Sequence, residues 1–191
     1  MLGNFIVLPL LSPILFFKVI KTKMETNFGD IAITSFGIFY VIGFILFIPL
    51  IYALENGKIL IWYIAFAAWG TDTFAYLIGC KFGKHKLTPV SPKKSVEGSI
   101  AGVIGNVIFS LIYTYCINKI GDMEISYLAI TGISIVLSIL AQIGDLAASS
   151  IKRYAGIKDF GDLIPGHGGM LDRIDSILFI APFAYFLLAL I

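Results

Sequence analysis

IAITSFGIFYVIGFILFIPLIYAL, residues 31–54, runs for 24 positions without a charged side chain. A helix that crosses the hydrocarbon core of a bilayer needs about 20 apolar residues, within a range of about 17–25. The stretch therefore predicts a membrane span. Residues 1–17 and 100–118 are also uncharged and long enough to cross. Residues 59–80 carry one charge, Asp72, and residues 125–151 carry one, Asp145, near their far end. Residues 176–191 are uncharged but number only 16, short for a perpendicular crossing. Six spans are expected, in an all-α, polytopic membrane helical bundle.

The composition of the whole chain agrees. Of 191 residues, 58% are hydrophobic and 14% charged, against about 45–50% and about 25% in a soluble domain. Mean hydropathy is +0.93. So few charges would leave a water-soluble domain of this size largely bare. Disorder needs low hydrophobicity and is excluded. A net charge of +2 does not suit a nucleic-acid binder. The two cysteines, Cys80 and Cys116, lie at or inside apolar runs and offer no disulfide framework or zinc pattern.

The basic residues predict the topology. Connections 18–30, 81–97 and 152–175 hold twelve of the fourteen lysines and arginines. The alternate connections hold only Lys58 and Lys119. The positive-inside rule places the richer set in the cytoplasm and both termini outside. In residues 1–17 the positive charges (Lys18, Lys21, Lys23) follow the apolar core and no A-x-A-like site appears, so a retained span fits better than a signal peptide. The polar, candidate active-site face of the bundle is therefore cytoplasmic. No internal repeat or second domain is visible.

Asp72, in WGTDTFAYLIGC, costs about 2.5–3.5 kcal/mol at the centre of a membrane helix and should face protein or water. It is either a buried ligand for a cation or polar substrate group, or an interhelical hydrogen-bonding partner for Thr71, Thr73 or a serine. Asp145, Ser149, Lys152 and Arg153 share one helical face. An acid followed by a hydroxyl and two cations suits a metal-bound phosphate. An internal Asp145–Lys152 salt bridge is the alternative.

SIKRYAGIKDFGDLIPGHGGMLDRID, residues 150–175, is the densest polar segment. Its glycines and Pro165 disfavour a continuous helix, and irregular backbone at membrane depth must be buried or line a wet cavity. Gly168 and Gly169, beside His167 and before a helix start, have the form of a backbone nest for an anion. Asp172 and Asp175 fall on one helical face flanking Arg173, an arrangement that suits Mg²⁺ with a polyphosphate. His167 is a general acid, a phosphate donor or a loop-fixing hydrogen bonder. In KFGKHKLTPVSPKKSVEGS, Pro89 and Pro92 predict extended chain, and His85 reads as part of a solvated basic face. Topology accounts for Lys81, Lys84 and Lys86, but less well for Lys93, Lys94, Ser95 and Glu97 in SPKKSVEGS.

From Ser149 to Asp175 the chain resembles the signature of the phosphatidate cytidylyltransferases (CDP-diacylglycerol synthases). The matching positions are Ser149, Lys152, Arg153, Lys158, Asp159, Gly161, Pro165, His167, Gly168, Gly169, Asp172, Arg173 and Asp175. SPKKSVEGS and GTDTFAYLIG resemble the family's other blocks, and the likeness runs from about Asp30 onward. Bacterial members carry further N-terminal spans. Residues 1–191 are thus expected to form one integral-membrane cytidylyltransferase domain lacking those spans, as a short member, a truncated sequence or a fragment.

The resemblance implies transfer of CMP from CTP to phosphatidate in the bacterial inner membrane, giving CDP-diacylglycerol and pyrophosphate, with Mg²⁺ and room for a second cation. It also implies a homodimer. On this basis Asp145 and Asp172 are expected to hold the metal, with Asp72 and Asp175 beside a second cation or behind the first. Lys152, Arg153, Lys158, Arg173, Lys93 and Lys94 are expected on phosphates, with His167, Gly168 and Gly169 along the nucleotide phosphate path. Ser95, Glu97, Ser149 and Asp159 complete the candidate substrate-binding set. The alternatives are a CTP-dependent enzyme acting on another lipid (an ether-lipid cytidylyltransferase or a polyprenol kinase) and a membrane transporter or channel.

Overall fold

The computed structural model describes Pro13, Phe17 and residues 28–120, 123–162 and 168–191. The chain divides into two compact units, Met1–Phe47 and Ile48–Ile191. Among the described residues the fold is all-helical, with an isolated bridge between Lys86 and Ser95 in place of any strand.

The helices are α1 (Phe28–Ile38), α2 (Phe47–Tyr52), α3 (Gly57–Ala65), α4 (Thr71–Phe82), α5 (Val96–Ile120), α6 (Tyr127–Tyr154) and α7 (Leu171–Leu188). A five-residue π-helical segment, Phe39–Gly43, follows α1, and another, Phe66–Gly70, joins α3 to α4. Such segments widen one turn and often stand beside functional positions. The second delivers the chain directly to Asp72.

Among the described residues, three helical stretches are long and apolar enough to cross a membrane: Gly29–Tyr52, Val96–Ile120 and Tyr127–Tyr154. Of the six expected spans, those at 31–54, 100–118 and 125–151 coincide with these three stretches. Residues 57–82, which contain the expected span 59–80, are helical throughout. The C-terminal helix begins at Leu171, so Asp172 and Asp175 lie on one helical face in its first turns, as expected, ahead of the uncharged run from residue 176. The expected span at residues 1–17 lies outside the described residues apart from Pro13 and Phe17.

α5 shows why this is a membrane fold. Its outer face carries Ile100, Ile104, Ile108 and Ile112, each more than half exposed, at four-residue spacing. Its inner face buries Gly98, Gly102, Gly105, Asn106, Ser110 and Thr114. Apolar outside and small or polar inside is the reverse of a soluble helix, and it is what bilayer-embedded helices use to approach closely. A Cβ on Gly98 would lie 2.6 Å from the Ala75 carbonyl oxygen, and one on Gly102 would lie 2.7 Å from that of Thr71. Gly105 faces the Phe74 ring in the same way. These glycines seat α5 against α4, while Gly144 seats α6 against Phe179 of α7.

Buried hydroxyls and an amide join the same helices. Thr71 Oγ1 donates to Ser138 Oγ (3.0 Å), and Asn106 Nδ2 donates to Ser138 Oγ (2.8 Å) and the Ser134 carbonyl (3.3 Å). Interhelical hydrogen bonds in membranes average only about 0.6 kcal/mol. Their main effect is to fix the register of α4, α5 and α6, and hence the positions of Asp72 and Asp145.

Candidate active site

Four pieces of chain enclose a cavity of about 310 Å³. Asp72 and Tyr76 come from α4, and Gln142, Asp145 and Ser149 from α6. Ser99 belongs to the first turns of α5, while Ser91, Lys93, Lys94 and Ser95 belong to the segment before it. That segment is not simply extended, as the prolines predict, but folds back on itself. Leu87 N donates to the Lys94 carbonyl (2.9 Å), Val96 N to the His85 carbonyl (2.9 Å), and Lys94 N to the Ser91 carbonyl (3.0 Å). Pro89 precedes and Pro92 lies within the turn of a short hairpin. Ser95 closes it by capping α5, accepting from Gly98 N at 3.2 Å.

The hairpin places the Lys94 ammonium 2.5 Å from Asp145 Oδ2 and 3.9 Å from Asp72 Oδ1. One cation thus stands between two acids from different helices. Of the alternative partners for Asp72, Thr71 bonds Ser138, and Thr73 Oγ1 donates to the Trp69 carbonyl (2.7 Å). Nor do Asp145 and Lys152 form the alternative ion pair, because Asp145 takes Lys94.

Lys152 belongs to a second cluster. Its ammonium lies 2.6 Å from Asp172 Oδ1, and the two side chains are only 10% and 5% exposed. Asp172 Oδ2 accepts from Phe160 N (2.8 Å) and Gly169 N (3.0 Å). Desolvation pushes the Asp172 carboxyl up, but the Lys152 ammonium and these two amides outweigh it and hold it below the usual carboxylate range. The turn that brings Lys152 here is local. Gly156, at φ 70°, ends α6, with Gly156 N donating to the Arg153 carbonyl (3.1 Å) and Ile157 N to that of Lys152 (2.9 Å). This is the pattern of a Schellman C-cap, which favours glycine.

Asp175 is buried on α7 and accepts from Ser176 N (2.7 Å). Burial pushes its carboxyl up to about 6, and the Asp145 carboxylate adds to the rise.

Other expected residues fall differently. Arg153 is exposed, its guanidinium donating to the Ile157 carbonyl (3.3 Å), and Lys158, Asp159 and Arg173 are exposed. His167 lies outside the described residues. The nest expectation is corrected in part: Gly169 N points at Asp172, not at open space for an anion. Glu97 lies apart from the other expected residues. It is absent from the cavity lining, and its carboxylate is taken up by Lys84 and His85. His85, expected as part of a solvated basic face, keeps an exposed ring and donates through Nδ1 to Glu97.

Sequence reasoning missed Ser91, Ser99, Gln142 and Tyr76. Gln142, three residues before Asp145, was detectable as a polar residue on the same helical face. Ser99 Oγ bonds Gln142 Oε1, and Gln142 Nε2 donates back to the Ser99 carbonyl (3.3 Å).

The donors suit a hard cation. Asp72 and Asp145 are oxygen ligands that already flank a positive charge, and Mg²⁺ is typically held by one or two carboxylates, with water and phosphate completing its shell. No group of three or more acid, histidine or cysteine side chains forms a closed metal cage among the described residues. The expected metal pair, Asp145 and Asp172, is divided between two ion pairs; the acid that shares a cation with Asp145 is Asp72.

A cytidylyltransferase family model matches residues 1–191. The phosphatidate cytidylyltransferase of Bacillus subtilis strain 168 is 42% identical over 137 residues, covering 71% of this chain and 49% of that protein. Those of Staphylococcus aureus strain COL and Thermotoga maritima are 39% and 37% identical, each covering 88% of this chain and 63% of the relative. The chain therefore spans about half to five-eighths of the length of these relatives.

Proposed function

This chain belongs to the cytidylyltransferase family, and on that premise we propose that it transfers CMP from CTP to phosphatidate, giving CDP-diacylglycerol and pyrophosphate at the cytoplasmic face of the cell membrane. The observation that carries the reading is the Lys94 ammonium held between Asp72 and Asp145 in a polar cavity lined by α4, α5, α6 and the lysine hairpin. The names of the relatives favour phosphatidate over ether-lipid or polyprenol acceptors, and nothing favours a transporter.

The lipid phosphate is already a nucleophile, so no strong base is required. Its oxygen forms a bond to the α-phosphorus of CTP, the α–β bridging P–O bond breaks, and the electron pair leaves with pyrophosphate. The barrier lies in bringing anions together and stabilising charge on the departing group. Lys93 and Lys94 supply positive charge from the hairpin, and Lys152 supplies it from the end of α6. Asp145, with Asp72, and Asp172 are the groups that would hold Mg²⁺, which supplies electrostatic stabilisation of phosphate oxygens when bound. Ser149, Ser99 and Gln142 offer neutral hydrogen bonds to a polar substrate in the same cavity.

Pyrophosphate release by the purified chain tests the proposal. Release is expected only with CTP, phosphatidate and Mg²⁺ together. Release without a lipid acceptor, or equally with ATP, would overturn it.

A further inference from the structure

We infer that Glu97 is a positioning residue that fastens the lysine hairpin over the cavity, rather than a ligand of the substrate. The inference rests on the proposed function only in taking Lys94 as a phosphate-binding or catalytic group. Glu97 stands in the first turn of α5, two residues after the hairpin ends. Its Oε2 accepts from Lys84 N (3.1 Å) and His85 N (3.3 Å), and its Oε1 accepts from His85 Nδ1 (2.6 Å). All three donors lie at the far end of the hairpin, twelve or thirteen residues back along the chain. A carboxylate is an acceptor only, and charge-assisted bonds of this kind are roughly twice as strong as neutral ones. Withdrawing Glu97 to meet a substrate would break all three.

Two further observations show what the fastening holds. The two arms of the hairpin are tied by few bonds: Val96 N to the His85 carbonyl and Leu87 N to the Lys94 carbonyl. A two-stranded hairpin is marginal by itself in water. At its base the chain also passes so close to the cap of α5 that a Cβ on Gly83 would lie 2.5 Å from Ser95 Oγ. The end of α4, the base of the hairpin and the start of α5 therefore form one joint, with Glu97 as its charged member. Lys94 is ten residues along the hairpin from Lys84, and its ammonium must reach the gap between Asp72 and Asp145. If the joint opens, the hairpin loses the anchor that sets that reach, although Glu97 itself never touches the cavity.

The test compares Glu97→Ala, Glu97→Gln and His85→Ala in the full chain, reading trypsin cleavage at the hairpin lysines alongside CMP transfer. Cleavage tracks the open population of the segment. Glu97→Ala removes all three acceptor contacts and is expected to raise the cleavage rate about tenfold while CMP transfer falls in parallel. The amide oxygen of Glu97→Gln can accept the same two backbone hydrogens, so both readouts should stay within about threefold of the parent. His85→Ala removes one contact of three, leaves the helix untouched and should fall between. Unchanged cleavage in Glu97→Ala and His85→Ala would overturn the inference, as would a Glu97→Gln variant that loses transfer with its hairpin intact. The cleavage readout needs no turnover, so it remains decisive even if the parent transfers no CMP.

Discussion

The Lys152–Asp172 pair can be separated into its structural and chemical parts by charge removal. Asp172→Asn keeps the shape of the side chain and an oxygen for the Phe160 and Gly169 amides, but leaves the Lys152 ammonium without its counter-charge. Because the two side chains are 10% and 5% exposed, the loss belongs to the buried class, where breaking one partner costs about 3–5 kcal/mol. The retained amide bonds favour the lower end, about 3 kcal/mol. For a chain of this size that lowers the unfolding midpoint by about 10 °C. Replacing a buried pair by neutral groups of similar volume is often close to neutral. Asp172→Asn combined with Lys152→Met should therefore recover most of the midpoint while CMP transfer stays abolished. The assay is thermal unfolding in detergent beside transfer activity for the parent, the single variant and the double variant. A single variant with an unchanged midpoint, or a double variant no more stable than the single, would refute the reasoning. Recovery of transfer in the double variant would remove Asp172 and Lys152 from the chemistry.

Three other outcomes are expected. Lys94→Met leaves Asp72 and Asp145 without their shared cation and should reduce transfer about 10²–10³-fold, with the protein still folded, as measured by steady-state kinetics beside unfolding. Gly102→Ala places a methyl against the Thr71 carbonyl, 2.7 Å away, and should cost about 1–3 kcal/mol; Gly132→Ala, where nothing lies within 4 Å, should cost nothing, and equal losses would contradict the packing of α4 on α5. Asp172 titrates below its unfolded value of about 3.9, so its stabilisation is complete above that value and is lost as pH falls through the lower, folded pKa. Unfolding midpoints measured from pH 7 down to pH 3 should show an acid limb that Asp172→Asn flattens.

What the sequence made legible follows from the range of the interactions. Residues 31–54 announce a span because absence of charge is a property of the stretch itself. The start of the C-terminal helix was legible too, because the glycines end at Gly169, and Asp172 and Asp175 follow at a spacing of three residues. The polar residues of the cavity were visible as types, and Asp72, Lys94, Asp145 and Ser149 do come together. Their pairing was not visible. Asp145 and Lys152 share a helix and look like natural partners, yet the Schellman turn at Gly156 sends the chain back so that Lys152 meets Asp172, twenty residues on. The partners of Glu97 were hidden for the same reason. A carboxylate beside two lysines suggests substrate, and only the folded hairpin shows that its partners are backbone amides at Lys84 and His85. Ser99 and Gln142, 43 residues apart, meet only through the packing of α5 on α6.

The central claim is that the cavity between Asp72, Lys94 and Asp145 serves transfer of a cytidylyl group to a lipid phosphate. Parallel reactions with CTP labelled at the α- or γ-phosphorus, using purified chain, phosphatidate and Mg²⁺, test it most directly. The account expects label in the lipid from α-labelled CTP alone, abolished by EDTA and by Asp145→Asn. Label entering the lipid from the γ-position, or α-labelling that Asp145→Asn leaves intact, would contradict it.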